Sequence, residues 1–184
     1  MTTATTTLIP AGTWAVDPKH STVEFQVKHM GIANVKGKFN EFAGTLEIGD
    51  DLATAKATGT VKVASVDTNE EQRDAHLRSA DFFDAETHPE LSFAAIAIEP
   101  VDEETFRIAG DLTLHGITRP ITLEAVVQGT DVDPWGNDRV GLEVVGQLKR
   151  SDYDMKFNQA LGSGNMLVGD KVKLVLDISA IKQA

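Results

Sequence analysis

Residues 21–30 read STVEFQVKHM, and in this stretch apolar side chains alternate with charged or amide ones. The apolar members are Val23, Phe25 and Val27. Because successive side chains of a β-strand point to opposite faces, a period of two predicts a strand with one buried face. The stretch therefore favours a β-sheet protein.

Other runs that resemble strands occur along the chain, and turn-forming residues separate most of them. They lie at about 12–17, 35–49, 57–66, 91–99, 105–115, 120–129, 139–149 and 170–180. Short turns favour antiparallel neighbours, because parallel neighbours need long crossovers. About eight or nine such strands predict a mainly all-β antiparallel sheet that closes into a barrel or folds over into a sandwich.

The composition limits the function classes. The chain has 184 residues and a formal net charge of -11, so its field repels nucleic acids and anionic lipid surfaces. It has no cysteine, which excludes disulfides, thiolate nucleophiles and cysteine-ligated zinc. No stretch approaches the ~20 apolar residues of a membrane span. We therefore expect no nucleic-acid partner and no stable membrane insertion.

The beginning of the chain is rich in threonine. We expect residues 1–11 to form a disordered leader and residues 12–184 to form a single domain. The start has no basic residue and no apolar run of signal-peptide length, so we expect a cytoplasmic protein. A periplasmic or secreted location is expected only if a signal was trimmed.

Residues 66–83, VDTNEEQRDAHLRSADFF, interrupt the strand pattern. Thr68 followed by Glu71 resembles a capping box, which predicts a helix near residues 69–80. An acid-first pair four residues apart, Asp74 and Arg78, would support it. In one interpretation the helix plugs one end of the barrel and its charges face water. In the other, its cations form a rim at a cavity opening.

Catalytic and metal chemistry have little support in the spacing. The histidines are His20, His29, His76, His88 and His115, and no two of them have HxH or HExxH spacing. No serine has the glycine spacing of a nucleophile elbow. We expect no catalytic residue, no metal and no cofactor.

Three blocks resemble, in order and spacing, the signature blocks of YceI-like proteins, the polyisoprenoid-binding family. They are SVDTNEEQRDAHLRSADFF at 65–83, GDLTLHGITRPITLEA at 110–125 and DPWGNDRVGLEVVGQLKRSDYDMKF at 133–157. The resemblance covers residues 12 to about 181. Two features depart from the family: many members begin with an export signal, and many have glycine where this chain has Asp154.

The resemblance implies an eight-stranded antiparallel lipocalin-like barrel that holds a long isoprenoid or a related amphiphile, such as a polyprenyl phosphate or a quinone-like lipid. It also implies a homodimer. Strand alternation and the helix then predict the lining, although ordinary core packing is the alternative for each residue. The predicted lining residues are Phe25, Val27, Phe39, Leu77, Phe82, Phe83, Leu112, Leu114, Ile121, Leu123, Trp135, Val144 and Leu174.

Arg73, His76 and Arg78 are the candidates for contact with a ligand headgroup, and Lys149 with Arg150 is the alternative. Binding, storage or transport of the lipid is the predicted function. Two other functions stay open: an enzyme that acts on an isoprenoid or amide-like substrate in the cavity, and a ligand-free, stress-linked structural protein.

Overall fold

The computed structural model describes residues 8–184. These residues form eleven strands and one α-helix, and within them no helix is long and apolar enough to cross a membrane. The strands are β1 (Gly12–Val16), β2 (Thr22–His29), β3 (Ala33–Phe39), β4 (Phe42–Ile48), β5 (Lys56–Lys62), β6 (Val66–Asp67), β7 (Glu90–Pro100), β8 (Thr105–Leu114), β9 (Ile117–Val132), β10 (Asp138–Lys149) and β11 (Val168–Lys182). The helix α1 is Glu71–Arg78, and short 3₁₀ turns are Leu52–Thr54, Val63–Ser65 and Arg150–Tyr153.

Eight of the strands close into an antiparallel ring. Its order is β1, β4, β5, β7, β8, β9, β10 and β11, and β11 pairs again with β1. This ring confirms the predicted eight-stranded antiparallel barrel and excludes the sandwich. Within the ring each strand has a neighbour on both sides, which reduces the free sheet edge that would otherwise template aggregation.

The last strand, β11, divides one of its edges between two partners. Along one edge it pairs with β10 over residues 171–181. Along the other, residues 168–177 pair with β2, and residues 180–182 pair with β1. The strands β2, β3 and β6 therefore form a branch that leaves the ring beside β11. The barrel is closed where β11 pairs with β1, and the sheet forks where β11 pairs with β2.

Apolar residues form one cluster at each end of the barrel. The larger includes Phe25, Leu112 and Ile121, together with Phe82 and Phe83 from the segment after α1. The smaller closes the opposite end. Its buried members are Ile9, Trp14, Ile48, Leu52, Phe106, Val127, Val140 and Ala180.

Part of the expected leader belongs to this smaller cluster. Ile9 is buried among its residues, and the indole nitrogen of Trp14 donates a hydrogen bond to the carbonyl of Pro10 over 3.0 Å. Residues 1–7 of the expected leader lie outside the described residues.

The helix is shorter than predicted, and the predicted capping box is wrong. The first turn is capped by Glu70, whose carboxylate accepts hydrogen bonds from the backbone N–H groups of Gln72 (3.2 Å) and Arg73 (2.6 Å). The helix cannot include Asn69, because its φ of 64° is left-handed. Thr68 instead donates its hydroxyl to the carboxylate of Asp74, over 2.5 Å.

The predicted pairing of Asp74 with Arg78 is also wrong. Asp74 is buried and accepts hydrogen bonds from both the hydroxyl and the backbone N–H of Thr68. Arg78 donates from Nε to the carbonyl of Ala64, 3.1 Å away. Both side chains therefore bind groups outside α1 and do not pair with each other along the helix.

Asp154 has the backbone conformation that glycine adopts most easily. It follows the 3₁₀ turn Arg150–Tyr153, with φ 59° and ψ 24°. Aspartate tolerates this left-handed region better than most residues, so the loop forms without glycine.

A network of charges joins β10 to the segment after β1. Arg139 donates to the carboxylates of Asp17 (2.9 Å) and Asp133 (2.7 Å). His20 lies 2.6 Å from the same carboxylate of Asp17. The bonds from His20 and then from Arg139 lower the pKa of Asp17 from 3.8 to about 2. Arg139 also holds the pKa of the Asp133 carboxyl well below its usual range.

We expect Asp17→Asn to lower the free energy of unfolding at pH 7 by about 1–2 kcal/mol, a value reduced for solvent screening. Because the folded pKa of Asp17 (about 2) lies below the ordinary 3.8, its stabilisation is complete above pH 4 and is lost as the pH falls through about 2. Urea unfolding of both proteins at pH 7, 4 and 2 measures this.

The control is Asp138→Asn, which changes an exposed carboxylate at the start of β10 and should have little effect. A stability difference for Asp17→Asn that stays the same at pH 2 would contradict the ionic origin.

Candidate functional site

The barrel encloses a cavity of about 300 Å³ with an almost wholly apolar wall. This volume lies at the lower end of the usual range for small-molecule pockets, roughly 300–1,000 Å³. The cavity forms because the inward positions of the strands carry mainly medium-sized side chains that do not meet across the barrel. The arrangement suits an apolar ligand.

All but one of the predicted lining residues lie in the wall of this cavity. They are Phe25, Val27, Phe39, Leu77, Phe82, Phe83, Leu112, Leu114, Ile121, Leu123, Val144 and Leu174. The same alternation could have found further wall residues that the prediction omitted. Among these are Val23, Leu46, Val61, Phe93, Ile108, Leu142, Val172 and Leu176.

The prediction for Trp135 is not met. Its side chain is 79% exposed and lies outside the wall. It belongs to the turn between β9 and β10, where the Asp133 carboxylate accepts hydrogen bonds from the backbone of Trp135 and Asn137. The end of β9 is exposed over residues 128–132, so this hairpin projects into solvent beyond the barrel.

The segment of α1 closes the end of the cavity. Leu77 comes from the helix, and Phe82 and Phe83 come from the loop that follows. The ring of Phe83 meets Phe25 and Phe39 edge-on, with centroids 6.4 and 5.7 Å apart. Such contacts favour one orientation of the rings. The position of these three side chains agrees with the plug interpretation of the helix.

The three predicted headgroup residues do not line the cavity. Arg73 donates from Nε to the hydroxyl (2.7 Å) and from Nη2 to the carbonyl (2.8 Å) of Thr68. His76 lies 2.9 Å from the carboxylate of Asp81. Arg78 is held by a loop carbonyl, as described above. These three side chains attach α1 to its surrounding loops, so the structure does not place them as a rim at the cavity.

The cation in the wall is Arg150, which is only 5% exposed. Its guanidinium donates to the backbone carbonyls of Gly169 (2.8 Å), Met155 (2.7 Å) and Val168 (3.2 Å). Its Cζ lies 6.0 Å from the ring centroid of Phe82. Arg150 therefore joins the end of β10 to the start of β11 beside the plug.

No carboxylate within residues 8–184 lies at ion-pair distance from Arg150. Burial lowers the pKa of its guanidinium from the ordinary value, and the more distant carboxylate of Asp170 partly opposes this shift. A guanidinium has five N–H donors, and its field is weakly screened in an apolar cavity. The cavity end at Arg150 therefore favours an anionic or hydrogen-bond-accepting group.

The cavity reaches solvent on another side. Polar residues in its wall include Glu24 on β2, Thr45 on β4, and Thr58 and Thr60 on β5. They are exposed or half-buried, and they lie where the β2 branch separates from the β4–β5 pair. The period of two places these side chains on the outer positions of their strands, so the fork is an opening to solvent, and Arg150 near the plug is the cation in the wall.

Comparison with known proteins identifies relatives of the whole barrel. The family model described as YceI-like domain matches residues 14–180. Protein YceI of Escherichia coli is 36% identical over 166 residues, which are 90% of this chain and 83% of the relative.

Two solved structures share the fold at lower identity. BcnA of Burkholderia cenocepacia has a TM-score of 0.78 and 23% identity, covering 89% of this chain and 98% of BcnA. A domain of Saccharophagus degradans, described as a polyisoprenoid binding domain implicated in plant cell wall breakdown, has a TM-score of 0.70 and 16% identity. It covers 92% of this chain and 98% of its own. At these identities the likeness shows the fold alone.

We expect Arg150→Met to lower the free energy of unfolding by about 2–4 kcal/mol. The change leaves three carbonyls without their donor, and part of the loss is offset because a buried charge no longer needs desolvation. Urea denaturation followed by tryptophan fluorescence measures it.

Lys149→Met is the matched control, because it removes an exposed neighbouring cation and should change stability by less than about 0.5 kcal/mol. Equal effects of the two substitutions would contradict the structural role assigned to Arg150.

Proposed function

The chain belongs to the YceI-like domain family, and we propose that it binds a long-chain isoprenoid or a similar amphiphilic lipid in its barrel for storage or transport. The observation that carries the proposal is the cavity of about 300 Å³ with an apolar wall and a buried arginine at one end. The Saccharophagus degradans domain, described as a polyisoprenoid binding domain, supports the same ligand class.

The tail of such a ligand would supply most of the affinity. Burial of one methylene group stabilises a complex by about 0.8 kcal/mol, so about ten groups contribute roughly 8 kcal/mol before ordering costs. With a polar wall, the affinity would not rise in this way with the length of the hydrocarbon chain. The apolar wall therefore favours a long hydrocarbon chain over a compact polar substrate.

The headgroup would meet one of two polar regions. Arg150 offers a cation beside Phe82, which suits a phosphate or a quinone-like carbonyl. The opening at the fork offers contact with solvent. We propose that an anionic head lies at Arg150, because no carboxylate within residues 8–184 is close enough to neutralise it.

Binding is favoured over catalysis by the chemistry of the wall. Among the described residues, the polar ones that border the cavity are Glu24, Thr45, Thr58, Thr60 and Arg150, and they include no histidine or lysine beside a nucleophile. The alternative of a ligand-free structural protein does not account for an apolar cavity of this volume. Cytoplasmic location and a homodimer stay predictions.

We expect Leu174→Trp to weaken binding of the longest prenyl alcohol at least tenfold, because an indole would occupy part of the cavity. Wild-type affinity should rise with chain length until the cavity is full. Displacement of a fluorescent fatty probe by prenyl alcohols of increasing length measures both effects.

Lys173→Trp is the control, since it places the same side chain on the outer face of the same strand. Mass spectrometry of the recovered alcohols adds a second readout. Affinity that is independent of chain length would contradict the binding function, and chemically altered alcohols would favour the enzyme.

We expect the protein to bind a prenyl pyrophosphate about tenfold more tightly than the prenyl alcohol of equal length, because only the pyrophosphate forms charge-assisted bonds with Arg150. Arg150→Gln should remove this preference, and Arg150→Lys should keep part of it. The double variant Arg73→Gln/Arg78→Gln should leave it unchanged.

Far-UV circular dichroism establishes that each variant is folded before it is compared. Loss of the preference in the double variant, with retention in Arg150→Gln, would place the head at α1 and contradict the assignment to Arg150.

A further inference from the structure

Three potential metal ligands meet outside the cavity, close to the plug. Asp84 and His88 belong to the loop between α1 and β7, and His115 belongs to the tight turn between β8 and β9. Each offers one ligand atom, and the three atoms lie within 4.8 Å of one another. The two imidazole rings have centroids 5.0 Å apart. All three residues are half-buried, so an ion could reach them from solvent.

These ligand atoms are not used elsewhere in the described part of the chain. Within residues 8–184, the carboxylate of Asp84 accepts no hydrogen bond and neither ring nitrogen of His88 takes part in one. Half-buried polar groups usually find a partner, in protein or in water. Convergence of a free carboxylate and a free imidazole on a third ligand points to a bound ion.

The hydrogen bond of His115 fixes a tautomer that leaves the other ring nitrogen free for a metal ion. Its Nδ1 lies 2.9 Å from the backbone carbonyl of Tyr153. A carbonyl only accepts hydrogen bonds, so Nδ1 carries the proton and Nε2 presents its lone pair. This arrangement, with one ring nitrogen bound to a backbone carbonyl, is the usual second contact of a metal-binding histidine.

The backbone around the site brings the ligands together at some cost. Asp84 (φ 50°) and His115 (φ 54°) both have left-handed conformations, which side-chain-bearing residues adopt rarely. The backbone N–H of His88 donates to the carbonyl of Asp84 over 2.8 Å, so both side chains belong to one turn. Gly116 leaves the space for His88, because a Cβ there would lie 2.7 Å from Cε1 of the ring.

We propose that Asp84, His88 and His115 bind a divalent transition-metal ion, for which Zn²⁺ is the best fit. Two imidazoles and one carboxylate suit zinc and its first-row neighbours, whereas Ca²⁺ and Mg²⁺ require mainly oxygen ligands. Zinc bonds of about 2.0–2.2 Å place ligand atoms about 3.3–3.5 Å apart, so ligand atoms that lie up to 4.8 Å apart move closer together on binding. Three protein ligands leave one position for water.

An ion at this site joins the segments that close the cavity. Asp84 directly follows Phe82 and Phe83 of the plug, and His115 follows the wall residue Leu114. Through the carbonyl of Tyr153, His115 also contacts the 3₁₀ turn that begins with Arg150. The ion therefore stabilises the plugged end of the barrel. This inference does not rest on the proposed lipid function.

The test uses the tag-free, full-length protein, stripped with a chelator and then dialysed. Isothermal titration with Zn²⁺ should show saturable binding of one ion per chain, and the melting temperature should rise as zinc is added. His88→Gln and Asp84→Asn should each weaken the affinity at least tenfold and remove most of the thermal shift. Asparagine also tolerates the left-handed conformation of position 84, so the second variant keeps the backbone.

His29→Gln is the matched control, because it removes an exposed histidine on β2 and should leave zinc affinity unchanged. Titration with Mg²⁺ and Ca²⁺ should show no saturable binding. The proposal is overturned if zinc does not bind at one ion per chain, or if His88→Gln and Asp84→Asn bind it as tightly as the wild type.

Discussion

The barrel depends on the way β11 shares its backbone hydrogen bonds. One edge pairs with β10 along most of its length, while the other edge serves β2 first and β1 only at the end. The ring therefore closes through three residues of β1 and forks beside β2. If β11 paired with β1 along its whole length, the barrel wall would have no gap. If β11 did not pair with β1 at all, the sheet would stay open. The cavity and its opening near the fork both follow from this division.

The irregular start of β11 also explains why an arginine is buried in an apolar wall. The register with β2 shifts between Val168 and Val172, and the carbonyls of Val168 and Gly169 accept hydrogen bonds from Arg150. Asn158 pairs with both backbone groups of Val168, over 2.8 and 3.0 Å. A regular ladder would use these carbonyls itself. Here they hold a cation at the end of a hydrocarbon-lined space, which is the combination that a tail with a polar head requires.

The sequence predicts most of the strands and most of the cavity wall, because the period of two states directly which face each side chain occupies. It predicts the ends of α1 poorly, since the left-handed Asn69 and the buried Asp74 are set by tertiary contacts. The position of Trp135 is not predicted correctly, because in a turn no alternation of side chains indicates which of them face the cavity. The ligand cluster at Asp84 is invisible to spacing, because His115 comes from a different hairpin.

The loop between α1 and β7 connects the cavity to the proposed ion site. Phe82 and Phe83 face the cavity, and Asp84 and His88, within six residues of them, belong to the proposed ion site. Both groups of residues belong to this one loop, so a shift of the whole loop would change both sites. If an ion favours the loop position that also fits a lipid, then by linkage the lipid raises ion affinity by the same factor. A loop position that suits only one of them makes the two ligands compete, although they never touch.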